Sequence, residues 1–254
     1  MDLTQGIPIR FDVDGSGRLV VQLRALGLPG AAGPGAGGGD AVVVLDATGA
    51  VADTLVVLPA GESLTLSGGS PRLRMFASES VWDLDADGRF VSGRSDHYRI
   101  EERGADGTLT RVLTRPFQRR PLTEADQGRI QALMRTTITN QGFPPAAVEQ
   151  VLSQMQFAEY YPAFAALMAG PRGSTWVQRV RMASELEGVE ELTPEDIGTP
   201  EWEVLDAEGR YLGVVRFAPR TRPVLFDGDS LYAVVRGEFD VPVVVRFRVG
   251  MPGG

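Results

Sequence analysis

Residues 81–100 read VWDLDADGRFVSGRSDHYRI, and this stretch decides the fold class. Apolar and aromatic residues lead into an Asp-rich turn that contains Gly88, and a second apolar run follows. A short hairpin loop needs a residue with positive φ, which glycine adopts without a Cβ clash. An Asp at the start of such a loop accepts hydrogen bonds from the backbone N–H groups that follow it. The stretch therefore predicts a β-hairpin that turns at Gly88.

The same pattern recurs along the chain: an apolar residue, Asp or another residue, two further positions, and then Gly. The turn glycines are Gly17, Gly49, Gly88, Gly107, Gly173 and Gly209. β-Branched or aromatic runs flank most of them, as expected of strands. The repeat therefore predicts successive hairpins.

These hairpins group into four antiparallel sheets. The predicted strands are 7–12, 18–24, 41–46 and 51–58; 80–84, 89–94, 96–103 and 108–114; 164–168, 174–181, 201–206 and 210–217; and 222–227, 230–236 and 241–249. Repeated four-stranded antiparallel sheets predict an all-β protein, a β-propeller with about four blades. We expect one domain over residues 1–254, with blades at about 7–58, 79–116, 163–218 and 222–249. A β-sandwich or two small β domains is the alternative.

Two segments break the strand pattern. Residues 121–162 predict an inserted α-helical hairpin, with a loose capping box at Thr123 and Asp126 and a helix start at the two prolines 144–145. Its apolar stripes would pack on the propeller or on each other; the alternative is a lid over an apolar site. That site would be lined by Phe143, Phe157, Tyr160 and Tyr161. Residues 27–40 are rich in glycine and predict a flexible loop. They do not predict a phosphate-binding loop, because a strand rather than a helix follows and no lysine is present.

Composition excludes several kinds of chemistry. All 25 basic residues are arginine, Cys is absent, and His97 is the only histidine. A phosphate-binding lysine, a Schiff base, a thiol nucleophile and a zinc site with several histidines from one chain are thereby excluded. The net charge of −8 argues against a nucleic-acid partner. No apolar run is long enough to predict a membrane span.

The acidic motifs give weak signals for a metal. The stretch from Asp83 to Gly88 has the D-x-D-x-D-G opening of a calcium loop, but Arg94 stands where an EF-hand needs its closing Glu. We therefore interpret it as a turn and expect no cofactor, with Ca²⁺ as the weaker alternative. His97 follows Asp96 in a predicted strand, where adjacent side chains point to opposite faces. We accordingly expect Asp96 not to orient His97.

Several short sequence segments resemble those of the six-bladed β-propeller superfamily of TolB-like and NHL-like proteins, in particular uncharacterised bacterial members. They are residues 81–89, 93–100, 176–179, 202–213 and 235–241, within a resemblance that covers roughly residues 40–250. A six-bladed ring needs about 24 strands, whereas about 15 are predicted here. The resemblance thus implies a propeller that is incomplete at its N-terminus, with a four-bladed ring closed by its own N-terminus as the alternative. It also implies a periplasmic or secreted protein, although no signal peptide is visible in this chain.

The fold hosts many functions, so the sequence narrows function only to classes. The favoured class is a non-catalytic scaffold that binds a small polar ligand or a protein partner at one mouth of the central channel. Its candidate ligand-binding residues are Arg94, Asp96, His97, Arg179, Arg236, Glu238 and Asp240. The alternative is a Ca²⁺-dependent hydrolase or lyase on the same fold. If the ring is incomplete, a homo-oligomer is expected, because an open arc exposes strand edges.

Overall fold

The computed structural model describes residues 6–24, 39–67, 70–192, 194–237 and 241–250. Most of the predicted Gly-rich loop (residues 27–38) lies outside these ranges, as do Glu238 and Asp240. The helices are α1 (Glu124–Asn140) and α2 (Pro145–Gln154). The strands are β1 (Ile7–Val13), β2 (Leu19–Arg24), β3 (Gly39–Leu45), β4 (Val51–Pro59), β5 (Leu64–Ser67), β6 (Ser70–Met75), β7 (Ser80–Leu84), β8 (Phe90–Arg94), β9 (Arg99–Arg103), β10 (Leu109–Thr114), β11 (Gln156–Phe157), β12 (Ala166–Ala169), β13 (Thr175–Val180), β14 (Gly198–Leu205), β15 (Tyr211–Arg216), β16 (Thr221–Asp227), β17 (Ser230–Arg236) and β18 (Pro242–Arg248).

Four antiparallel sheets form the blades of a propeller. Blade 1 has the order β1-β2-β3-β4, blade 2 β7-β8-β9-β10, blade 3 β12-β13-β14-β15, and blade 4 β16-β17-β18. Strands that follow each other in the chain are neighbours, because each hairpin turn returns the chain beside the strand it has just left. The predicted all-β propeller with an inserted helical hairpin is confirmed, rather than a β-sandwich.

Apolar side chains join each blade to the next. Trp82 of blade 2 is fully buried against Val20 and Val42 of blade 1. Ile100 packs in the core between blades 2 and 3, and Trp176 packs with blade 4. Burying one such side chain contributes roughly 2 kcal/mol, so these interfaces account for much of the cohesion between blades.

The first hairpin turns of the four blades lie at one end of the propeller. The Gly15 backbone approaches Ala86 so closely that a Cβ at Gly15 would lie 2.0 Å from the Ala86 carbonyl oxygen. The Arg89 side chain donates to the carbonyls of Gly170 and Ser174 in blade 3. An ion pair of 3.7 Å joins the blade 3 turn to Asp229 of blade 4. The strand ends that carry the candidate residues therefore lie at the opposite end.

The helical hairpin packs as a core element. Thr123 and Asp126 form the predicted capping box at the start of α1. Ile130 of α1 and Leu152 of α2 are buried with Tyr161, which is 2% exposed. Phe143, by contrast, is 50% exposed. The four aromatic residues of the lid alternative thus do not line one common apolar site. No helix in the described residues is long and apolar enough to cross a membrane.

A small three-stranded sheet with the order β11-β6-β5 was not predicted from the sequence. β5 and β6 form a hairpin, and β11 pairs in parallel with β6 through Gln156 and Phe157. This sheet brings the segment before blade 2 beside the segment after α2.

Candidate functional site

One arginine lies at the end of the second strand of every blade. They are Arg24 of β2, Arg94 of β8, Arg179 of β13 and Arg236 of β17. Because hairpin strands alternate in direction, all four are at the end of the propeller opposite the first hairpin turns. We call this set the arginine rim. Three of its members were predicted from the sequence and Arg24 was not, although an Arg follows the turn glycine by six or seven positions in the first three blades.

Arg24 is a buried structural member of the rim. Its guanidinium donates to Asp40 at 2.8 Å and to Glu79 at 2.8 Å, and Asp40 is fully buried. Burial alone would lower the pKa of Arg24, but its hydrogen bonds to Asp40 and Glu79 outweigh that effect and raise the pKa. Asp40 also accepts from Gln22. This network joins blade 1 to the segment that leads into blade 2.

Arg94 is the centre of a more open group of charges. Its guanidinium donates to the Ala60 carbonyl at 3.1 Å and contacts Glu62, and its Nε lies 3.4 Å from Asp96. Glu62 also pairs with Arg74 at 3.0 Å. We call Arg94, Asp96, His97, Glu62 and Arg74 the Arg94 cluster. Their side chains are 21%, 38%, 53%, 42% and 38% exposed, so the cluster is accessible to a ligand.

The expected separation of Asp96 and His97 is wrong. β8 ends at Arg94 and β9 begins at Arg99, so both residues lie in a turn rather than in a strand. Strand alternation therefore does not apply, and the Asp96 carboxylate contacts His97 Nδ1. The contact orients the imidazole and leaves Nε2 as the ring nitrogen that can bind a ligand.

Arg179 belongs to a separate group of charges. It pairs with Glu185 at 2.7 Å and with Glu201 at 3.0 Å, and Glu201 also contacts Arg216. The hydrogen bond to Glu185 is the main cause of a raised pKa at Arg179. The hydrogen bond from Arg216, with the charge of Arg179, lowers the pKa of Glu201. These pairs tie β13 to β14 and to the turn around Glu185.

The candidate residues are therefore brought together only in part. Arg94, Asp96 and His97 form one cluster, whereas the ion pairs of Arg179 are with Glu185 and Glu201. Arg236 ends β17, and its N–H donates to the Arg220 carbonyl. Glu62 and Arg74 were missed because they lie in the segment between blades 1 and 2, where no motif marked them.

The D-x-D-x-D-G stretch folds as a turn whose carboxylates have different partners. Asp83 accepts from Arg10 at 2.7 Å and from the Ala169 N–H at 2.8 Å. Asp85 instead accepts from the backbone N–H groups of its own turn and pairs with Arg89. Within the described ranges, no group of three or more acidic or histidine side chains is placed to hold a metal ion.

The fold places the chain among β-propellers, and solved structures of this class are similar to it. One is a catalytically inactive virginiamycin B lyase from Staphylococcus aureus with quinupristin, at 10% identity and a TM-score of 0.35 over 96% of this chain. Another is a streptogramin B lyase, at 9% identity and a TM-score of 0.35 over 99% of this chain. A third is a selenomethionine-substituted virginiamycin B lyase from Staphylococcus aureus, at 10% identity and a TM-score of 0.31 over 98% of this chain. The chain spans 56%, 72% and 86% of their respective lengths. No family model and no curated protein sequence matches the chain.

Proposed function

We propose that the protein is a non-catalytic β-propeller scaffold that binds a small anionic ligand at the arginine rim, with the Arg94 cluster as the binding site. Arg179 and Arg236 of the rim are proposed as further ligand contacts, and so, from the sequence alone, are Glu238 and Asp240. Three further proposals rest on the resemblance of short sequence segments alone. They are membership of the six-bladed TolB-like and NHL-like propellers, a bacterial source, and a periplasmic or secreted location.

The observation that carries the proposal is the exposure of the Arg94 cluster. The carboxylates that join blades elsewhere are buried: Glu102 is 2% exposed and Asp83 6%. Those groups are already fully engaged between blades. His97 is 53% exposed and Arg74 38%, so their polar atoms reach solvent at the rim.

The chemistry of this cluster suits an anion with several oxygen atoms. The two guanidinium groups offer N–H donors, and charge-assisted hydrogen bonds from them to carboxylate or phosphate oxygens are roughly twice as strong as neutral ones. With Nδ1 donating to the Asp96 carboxylate, the neutral imidazole presents Nε2 as an acceptor for a ligand hydroxyl group. Glu62 and Asp96 hold these donors in place before the ligand arrives. A ligand that carries hydroxyl groups as well as negative charge would use both the donors and the carboxylates.

The proposal is tested by isothermal titration calorimetry with inorganic phosphate and with citrate as probes. We expect Arg94→Ala to weaken binding of the better probe by roughly tenfold or more, because one charge-assisted contact is lost. Arg210→Ala is the matched control, since Arg210 is 73% exposed and pairs with Asp206 in a turn at the opposite end. We also expect His97→Ala to weaken binding. Because this substitution leaves the contacts of Arg94 with Glu62 and Ala60 in place, such a loss would not come from misfolding. Equal losses in Arg94→Ala and Arg210→Ala, or no binding of either probe, would refute the proposal.

A further inference from the structure

Blade 4 has one strand fewer than the other blades in the described structure. Blades 1, 2 and 3 have four strands each, with β4, β10 and β15 as the fourth. Blade 4 ends at β18, which pairs with β17 along its whole length from Pro242 to Arg248. On its other side β18 has no neighbouring strand within the described ranges, so its seven residues form a free sheet edge.

The hydrogen bonds at both ends of β18 show which backbone groups face that edge. The Val249 N–H donates to the Asp229 carbonyl at 2.8 Å, and the Val241 carbonyl accepts from the Gly237 N–H. The odd-numbered residues of this strand thus direct their backbone groups toward β17. Because these directions alternate along an antiparallel strand, Val244, Arg246 and Arg248 direct theirs toward the open edge.

The side chains along this edge are apolar and basic. Val244 is 70% exposed, Val243 54% and Phe247 37%. Arg246 and Arg248 are exposed on the same face as Val244, and neither forms an ion pair with any residue that the structure describes. Edge strands in monomeric proteins are usually protected by bulges, inward charges or a covering element. Here β18 has an unbroken register with β17 and only Pro242, at its first position, interrupts the row of edge donors.

We propose that β18 is a strand-addition site that accepts an extended segment of a partner polypeptide as the fourth strand of blade 4. Main-chain hydrogen bonds to Val244, Arg246 and Arg248 give affinity, as in other cases of β-augmentation. Charge complementarity selects the occupant: the two arginines favour acidic side chains across the strand, and the apolar residues favour valine-like ones between them. The partner segment therefore alternates acidic and apolar residues. A second copy of this chain is a poorer occupant, because β18 against β18 would gather four arginines on one sheet.

The test uses synthetic peptides as long as β18, with alternating glutamate and valine in one and alternating lysine and valine in the other. Binding is followed by fluorescence anisotropy on the whole chain. We expect the acidic peptide to bind at least roughly tenfold more tightly than the basic one, and the double variant R246E/R248E to reverse this preference. Val244→Pro removes an outward-facing N–H but none of the bonds to β17, so it should abolish binding of the acidic peptide while the thermal midpoint stays close to that of the wild type.

Amide hydrogen exchange distinguishes the possible occupants. In the free protein the amides of Val244, Arg246 and Arg248 should exchange rapidly, and the acidic peptide should protect them. Protection of these amides without peptide, a dimer in light scattering that R246E/R248E does not alter, or equal binding of both peptides would overturn the proposal. These results do not depend on the rim, since the peptide probes and the substituted residues differ from those of the Arg94 cluster.

Discussion

At the scale of single residues, Asp83 connects three blades through one carboxylate. It accepts from Arg10 of blade 1 and from the Ala169 N–H of blade 3. Burial raises the pKa of Asp83 to about 6, against the opposing effect of Arg10. Because this pKa lies above that of the unfolded chain, the contribution to stability is full below about pH 4 and is lost as the pH rises through about 6. We expect the free energy of unfolding of the wild type to fall by about 3 kcal/mol relative to Asp83→Asn over this interval, measured by urea denaturation. Parallel pH curves for the two proteins would contradict this.

Single-residue roles were also the hardest to predict from the sequence. The pattern that begins at Asp83 could be recognised as a turn, and Asp85 behaves as a turn residue. The partners of Asp83 lie more than 70 positions away on either side, so no local pattern indicates them. Asp96 and His97 were misjudged because the predicted strand began three residues too early, and β9 starts at Arg99.

At the scale of elements, a comparison of two turn glycines distinguishes the energetic cost of backbone strain from that of steric crowding. Gly49 and Gly88 have nearly the same φ, 81° and 82°. A Cβ on Gly49 would meet no atom within 4 Å, whereas one on Gly88 would lie 2.8 Å from the Ala105 Cβ. We expect Gly49→Ala to destabilise the protein by about 1 kcal/mol through its left-handed conformation alone. Gly88→Ala should cost at least about 1 kcal/mol more, because Ala105 must also move. Urea denaturation measures the free energy of unfolding of both variants. Equal losses would show that the turn shifts enough to relieve the contact with Ala105.

The same elements show what a local pattern can predict. The blade strands and their turns were predicted within a few residues, because hairpin chemistry depends on neighbours such as Asp46 and Gly49. The helices were predicted from the capping box and the prolines. The sheet of β5, β6 and β11 was missed, because β11 pairs residues 156–157 with residues 74–75, and only the assembled fold brings them together.

At the scale of the whole molecule, cohesion depends on interfaces whose partners come from different blades. The sequence predicted blades because each is a run of hairpins, but not which polar side chains would join them. Glu102 of blade 2 is one of these: it is 2% exposed, accepts from Thr175 of blade 3 at 2.6 Å and contacts Arg111. Its neighbour Glu101 points to the other face of β9 and pairs with Arg99 and Arg103. Of these two adjacent glutamates, Glu102 thus lies at a blade interface and Glu101 on a more open face.

This pair gives a direct test of whether polar contacts between blades hold the propeller together. Glu102→Ala leaves the guanidinium of Arg111 and the hydroxyl of Thr175 without their carboxylate partner, and breaking such a buried group costs about 3–5 kcal/mol. Glu101→Ala removes two partly exposed ion pairs, with Arg99 and Arg103, and should cost about 1 kcal/mol or less. If the interface between blades 2 and 3 is integral to the fold, far-ultraviolet circular dichroism and tryptophan fluorescence of Glu102→Ala will show one coincident unfolding transition at lower urea concentration. Separate transitions for the two signals would mean that the blades unfold independently. Equal losses in the two variants would mean that the contact between Glu102 and Thr175 adds little to the apolar contacts that join blades 2 and 3.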